Sequence, residues 1–134
     1  FHTISDVGLN PLPIQQPIPM WIGARGLPAK SVIRRIGRHS DGWFVLCAPD
    51  QCPALHNSIA AEAEAAGRPA DAIGREAGVA VVGPREAEWQ DRVIGWYEKG
   101  LTHLCLRTLG VQLSSSEHLT KLEQAVNAIP DNTR

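Results

Sequence analysis

Short runs of continuous apolar residues alternate with stretches whose apolar positions recur at helical spacing, and the alternation repeats four times. Met20-Trp21-Ile22 reads as a short buried strand stopped by Gly23-Ala24-Arg25-Gly26. Over residues 28–39 the apolar positions Val32, Ile33 and Ile36 predict a helix, with Pro28 near its first turn, where a missing N–H costs nothing. Asp41-Gly42 predicts a turn into a second apolar strand, Trp43-Phe44-Val45-Leu46-Cys47. Asp50 is placed to cap a helix that starts near Pro53 and runs through the alanine-rich residues 59–66, and Gly67 supplies a left-handed stop. A third strand is expected at Gly78-Val79-Ala80-Val81-Val82, ended by Gly83-Pro84. Residues 85–99 carry Trp89, Val93, Trp96 and Tyr97 on one face, and Gly100 closes that helix. Thr102-His103-Leu104-Cys105-Leu106-Arg107 forms a fourth strand, and Ser114 with Glu117 makes a capping box for a last helix reaching Ile129.

The pattern is therefore α/β: four βα units with a parallel sheet. Strands that read as continuous apolar runs are buried on both faces, as in parallel sheets. Each gap between strands leaves room for one helical crossover. Two architectures fit, an open flavodoxin-like sheet or part of a (β/α)8 barrel. Residues 20–129 hold the four units, preceded by a Pro-rich extended lead-in at 1–19 and followed by a tail at 130–134. The lead-in contains four of the ten prolines, which forbid a helix there.

Composition narrows the partners. The chain has 134 residues, 43% of them hydrophobic, with 13 Lys+Arg against 14 Asp+Glu and a formal net charge of -1. That length suits one compact domain. The charge balance lacks the basic footprint of a nucleic-acid binder or of a polybasic membrane-surface protein. No apolar run approaches the roughly 20 residues of a spanning helix, and the N-terminus does not read as a signal peptide. The chain opens on Phe1, which is compatible with a processed product or a piece of a longer protein. Cys47, Cys52 and Cys105 form no Cys-x-x-Cys pair, which argues for a reduced, cytoplasmic setting. Cys105 reads as a small buried hydrophobe, and Cys47 is the cysteine closest to an expected cleft, with no basic neighbour to activate it.

In parallel α/β folds ligands gather beyond the carboxyl ends of the strands. That rule nominates the loops at 23–26, 48–50, 83–85 and 107–110. In the first, Gly23 and Gly26 bracket Ala24-Arg25 between a strand and a helix. Glycines let a backbone approach an anion, the helix N-terminus donates to it, and Arg25 offers a charge-assisted bond to a phosphate. A tight turn that merely needs positive φ is the other reading of the same residues. Arg107 ends a strand at its carboxyl side, where a cation either meets an anionic ligand or joins a surface ion pair. Asp41-Gly42-Trp43 falls at the opposite end and reads as a turn with a core tryptophan. Arg34, Arg35 and Arg38 read as a solvated helix face. The five histidines show no metal-ligand spacing, no Gly-x-Ser-x-Gly elbow is present, and the glutamate pairs at 62/64 and 86/88 read as solvated. With no acid–base pair in view, no catalytic residue is assigned, a pattern expected where a cofactor carries the chemistry.

The string Gly8-Leu9-Asn10-Pro11-Leu12-Pro13-Ile14-Gln15-Gln16-Pro17-Ile18-Pro19-Met20-Trp21-Ile22-Gly23 resembles the lead-in and fifth strand of the bacterial luciferase-like monooxygenase superfamily. Arg34-Arg35-Ile36-Gly37-Arg38-His39-Ser40-Asp41-Gly42-Trp43 is similar to the helix and Asp-Gly-Trp sixth strand that follow in that family. Ala65-Ala66-Gly67-Arg68-Pro69 resembles the end of its next helix, and Gly100-Leu101-Thr102-His103-Leu104 its approach to strand eight. The resemblance runs from residue 8 to about residue 128. It implies strands 5–8 of a TIM (β/α)8 barrel, a half-barrel, from an oxidoreductase or monooxygenase that uses FMN or coenzyme F420. The Pro-rich lead-in leans toward the F420-type branch. It also implies that Gly23, Ala24, Arg25 and Gly26 hold the cofactor phosphate, although the family often has Gly-Gly where this chain has Gly23-Ala24, and the loop here is slightly longer.

A half-barrel leaves two edge strands and one sheet face uncovered. The expected partners are thus a flavin-type cofactor and either a second copy or a complementary N-terminal half-barrel, with no nucleic acid and no membrane. The leading function is the C-terminal portion of a luciferase-like FMN- or F420-dependent oxidoreductase, with Arg107 as a substrate or phosphate contact. The alternative is a non-catalytic flavin- or phosphate-binding module, or a structural remnant that oligomerises through its exposed sheet.

Overall fold

A computed structural model describes residues 3, 5, 8, 11–12, 14–24, 26–45 and 47–129. Strand β1 (Trp21–Gly23) leads to helix α1 (Lys30–His39), then β2 (Gly42–Val45), α2 (Cys52–Glu64), β3 (Gly74–Ala80), α3 (Trp89–Glu98), β4 (His103–Arg107) and α4 (Ser115–Ala128). Short 3-10 turns at Ala70–Ala72 and Glu86–Glu88 precede β3 and α3. The described part of residues 1–19 forms neither helix nor strand, while its remainder and the tail at 130–134 lie outside the described residues.

All four strands are parallel and stand in the order β1-β2-β3-β4. This order decides between the two architectures. A flavodoxin-like sheet reverses its winding and so places helices on both faces, whereas right-handed crossovers that never reverse leave every helix on one face. Here Trp43, Ala77 and Val79 point from the sheet into one core with Ile36 of α1, Leu55, Ile59 and Ala63 of α2, and Val93 and Trp96 of α3. Ala125 of α4 packs nearby with Val81, Val82 and Leu106. The chain is a singly wound half-barrel.

Because side chains alternate along a strand, the other face carries Trp21 and Gly23, Gly42 and Phe44, Gly74, Glu76 and Gly78, and His103, Cys105 and Arg107. The ring of Trp21 lies 5.7 Å from that of Phe44 and 4.8 Å, edge-on, from that of His103. Glycines admit the tryptophan, since a β-carbon on Gly42 or Gly74 would come within 2.6 Å of its ring atoms.

Several boundaries differ from the sequence reading. The third strand starts at Gly74, four residues early, and ends at Ala80. Its register places Phe44 beside Glu76 and Glu76 beside His103, so a charged pair, Arg75 and Glu76, lies inside a strand whose ladder outweighs their low β propensity. Val81 and Val82 lie beyond the strand and fill the α4 interface. Asp50 does not cap α2; Gln51 occupies the N-cap without a side-chain bond to the helix, and its Oε1 accepts from the Ala48 amide at 3.3 Å. Pro28 precedes α1, whose N-cap is Ala29. On α3, Val93 and Trp96 are buried and Trp89 half-buried, but Tyr97 is 51% exposed. Leu46, expected in β2, lies outside the described residues. Gly67 and Gly100 hold the left-handed conformations expected at helix ends, with φ of 71° and 77°.

Candidate functional site

The carboxyl ends of the strands open onto a cleft of about 770 Å³, within the range of small-molecule sites. Gly23, Phe44, Glu76, Gly78, Cys105 and Arg107 line it from the strands, Cys47 and Pro49 from the loop after β2, and Arg85, Glu88, Asp91, Arg92, Gly95 and Trp96 from α3 and the turn before it. Gly23 and Arg107, nominated separately by the sequence, thus border one concavity from the first and last strands. Three strand spacings, roughly 14 Å, separate their strands, and Arg107 stands four residues further along, since Gly23 aligns through Phe44 and Glu76 with His103.

The β1–α1 loop has the features of an anion cradle. Gly23 ends β1, and a β-carbon there would stand 3.3 Å from the Phe44 ring, so a larger residue would press on it. Gly26 turns the chain with φ of 63°, a conformation that favours glycine. Ala24 between them is half-buried, and Arg25 lies outside the described residues. At the start of α1, Ala29 offers the first turn no side-chain acceptor, and no acidic residue stands there. The first N–H groups of a helix lack intrahelical partners, so those of Lys30 and Ser31 are available to an anion, with the Lys30 charge beside them. The opposite arrangement holds at α4, where the Ser114 amide donates to Glu117 Oε2 at 2.7 Å and the Glu117 amide to Ser114 Oγ. The Glu117 carboxylate already occupies that N-terminus, and the bonds from Ser114 hold its pKa below the usual range.

Arg107 lies across β3, with Nη2 donating to the Gly78 carbonyl at 3.4 Å, and Gly78 makes the room, because a β-carbon there would meet Arg107 Nε at 2.8 Å. Among the described residues it forms no ion pair, and its exposed guanidinium faces the cleft. Arg38, by contrast, pairs with Glu62 at 3.1 Å, as a solvated helix face does. Asp41 and Trp43 lie as expected at the amino end: Asp41 Oδ2 accepts from the Met20 amide at 2.7 Å, and Trp43 is buried.

Several cleft residues escaped the sequence reading, among them Asp91, Arg92 and Gly95 of α3. Glu76 projects from the middle of β3 onto the face opposite the core, and the alternation Gly74-x-Glu76-x-Gly78 was the available signal. Cys105 is half-buried at the cleft wall rather than sealed in the core. Burial raises the pKa of Cys47, followed by smaller contributions that include the Asp50 carboxylate, so it sits there as a thiol rather than an activated thiolate. Beyond β4, the buried Thr108 lies 2.7 Å through Oγ1 from Nδ1 of His118, tying the last loop to α4. Among the described residues no cluster of His, Cys, Asp or Glu could hold a metal, and no helix is long and apolar enough to cross a membrane.

A singly wound parallel half-barrel with a cleft at the carboxyl ends of its strands defines a TIM-barrel-type α/β protein with its candidate site at the carboxyl face. Residues 1–133 match the luciferase-like monooxygenase family, and the chain belongs to that family. Among solved structures it is similar to the coenzyme F420-dependent tetrahydromethanopterin reductase of Methanopyrus kandleri, with a TM-score of 0.62 and 13% identity. That match covers 87% of this chain and 51% of the reductase, so the chain spans about half the length of the protein it resembles. No curated protein matches it.

Proposed function

We propose that the chain is the C-terminal half-barrel of a luciferase-like oxidoreductase, corresponding to strands 5–8 of the closed barrel, and that it holds the phosphate of FMN or coenzyme F420. The observation that carries this reading is the β1–α1 loop: a glycine at the strand end, a left-handed glycine, and a helix N-terminus with open N–H groups and no acidic side chain. Gly23, Ala24 and Gly26 shape the backbone against the phosphate, and Arg25 and Lys30 add positive charge. Arg107 offers a second cation toward substrate or cofactor from across the cleft. Family membership and the F420-dependent neighbour support the choice of cofactor class. When bound, the flavin or deazaflavin supplies the redox chemistry; the residues here bind it, orient it and wall the cleft.

The test is a fluorescence titration of the chain with FMN and, separately, with F420. Saturable micromolar binding of one of them is expected. Gly23→Val should abolish that binding while the helical circular dichroism survives, because the branched side chain fills the cradle and presses on Phe44. Arg34→Ala, on the exposed face of α1, should bind as the parent does. Unchanged affinity in Gly23→Val would overturn the assignment of this loop.

A further inference from the structure

We propose that the helix layer between α2 and α3 holds a small oxyanion of the phosphate class, bound by Arg75 and His56 at a site separate from the cleft. Three side-chain nitrogens on the helix side of the sheet are buried without a hydrogen-bond partner among the described residues: Arg75 Nε, His56 Nδ1 and Trp43 Nε1. They come from adjoining elements. Trp43 and Arg75 stand side by side in the β2–β3 register, and His56 lies one turn after the buried Cys52 on α2. Indole and guanidinium nitrogens only donate, and a neutral imidazole donates through whichever nitrogen holds its proton. What this region lacks is therefore an acceptor, and a buried donor without one is costly.

The charges here are of one sign. Arg75 forms no ion pair among the described residues. The side chains that act electrostatically on Cys52 are Cys47, Arg75 and Lys99, and the one that acts on His56 is Arg75, with no carboxylate in either set. There is also an approach from solvent. Helix α2 packs closely along α1 but makes little contact with α3. Arg75 is half-buried, and its terminal nitrogens lie toward Gly100, where a β-carbon would stand 3.7 Å from both. Its backbone is fixed, since its amide donates to Thr102 Oγ1 at 2.7 Å and its carbonyl accepts from the Thr102 amide at 3.1 Å. The planar fork of a guanidinium matches an oxyanion better than a spherical ion. Strands that complete a barrel join at β1 and β4 and do not come between α2 and α3. The site is also independent of whether the β1–α1 loop binds phosphate.

Inorganic phosphate is the probe, titrated into the whole chain against chloride at matched ionic strength. The His56 imidazole resonances, assigned by their loss in His56→Gln, should shift saturably in the millimolar range. The urea midpoint should rise with them, because a ligand held only by the folded state stabilises it. Arg75→Gln should weaken the response at least roughly tenfold, the loss expected for a hydrogen bond to a charged group. It should still titrate with FMN or F420 as the parent does. Gly23→Val, which fills the β1–α1 cradle, should keep the His56 response, so the failure of one site is distinguishable from that of the other. If Arg75→Gln does not fold, Lys99→Gln at the exposed end of α3 carries the test, with a smaller loss of phosphate affinity expected. A His56 signal that stays still in the folded parent, or that follows chloride as it follows phosphate, would overturn the proposal and leave these donors to water. Unchanged phosphate affinity in folded Arg75→Gln, or in Lys99→Gln where that variant carries the test, would overturn it as well.

Discussion

Gly37 sits where α1 meets α2, and its missing side chain sets how close the two helices come. A β-carbon there would meet the Ile59 carbonyl oxygen at 2.6 Å and the Ala63 amide nitrogen at 2.8 Å. These are backbone atoms and cannot step aside as a side-chain tip can. Gly37→Ala, which raises helix propensity, is therefore expected to destabilise the fold by about 1–3 kcal/mol, measured by urea unfolding; a gain in stability would mean the helices can part cheaply. Arg68 reinforces the same corner by donating to the carbonyls of Gly37 and Ser40, each at 2.7 Å. His56 gives a pH dependence. Burial, and secondly the nearby Arg75 guanidinium, hold its pKa below the ordinary value near 6.5, and its Nδ1 has no partner among the described residues. As pH falls below that value the unfolded chain binds a proton that the folded chain resists, so stability is lost on acidification until the folded group also titrates. His56→Gln should flatten the fall in stability between pH 7.5 and pH 5 relative to the parent. Parallel profiles would refute that linkage.

At the scale of elements, local chemistry and tertiary pairing contribute differently to each segment. The last helix is specified locally: Ser114 and Glu117 make a reciprocal cap that was readable from their three-residue spacing. Ser114→Ala should cost about 1 kcal/mol in thermal or chemical denaturation, and a neutral result would mean that packing of Ala125 alone fixes α4. The third strand is the opposite case. The apolar run Gly78-Val79-Ala80-Val81-Val82 pointed four residues downstream and left Arg75 and Glu76 outside the strand. In the folded chain Arg75 faces the helices with its Nε buried, and Glu76 faces the open side. Hydrogen-bonded register with β2 and β4 overrides their polarity. The same register carries Glu76 into the cleft, which is why the sequence did not expose it as a site residue.

For the whole molecule, the sequence by itself determined the alternation of four strands and four helices, because apolar spacing and the glycine stops at 67 and 100 are local properties. It also determined where the β1–α1 loop falls, since a glycine pair between a strand and a helix is visible without coordinates, and its family resemblance agrees with the match over residues 1–133. It left the choice between a doubly wound sheet and a half-barrel open, since both have the same order of elements along the chain. Only the tertiary structure decided that, through the order β1-β2-β3-β4 and the gathering of the helices on one face. Only it brought Gly23, Glu76, Cys105 and Arg107 to one cleft, from strands far apart in the chain. The physical reason is that strand pairing and side-chain alternation set which residues share a face, and neither the partner strand nor the register is encoded within any one segment.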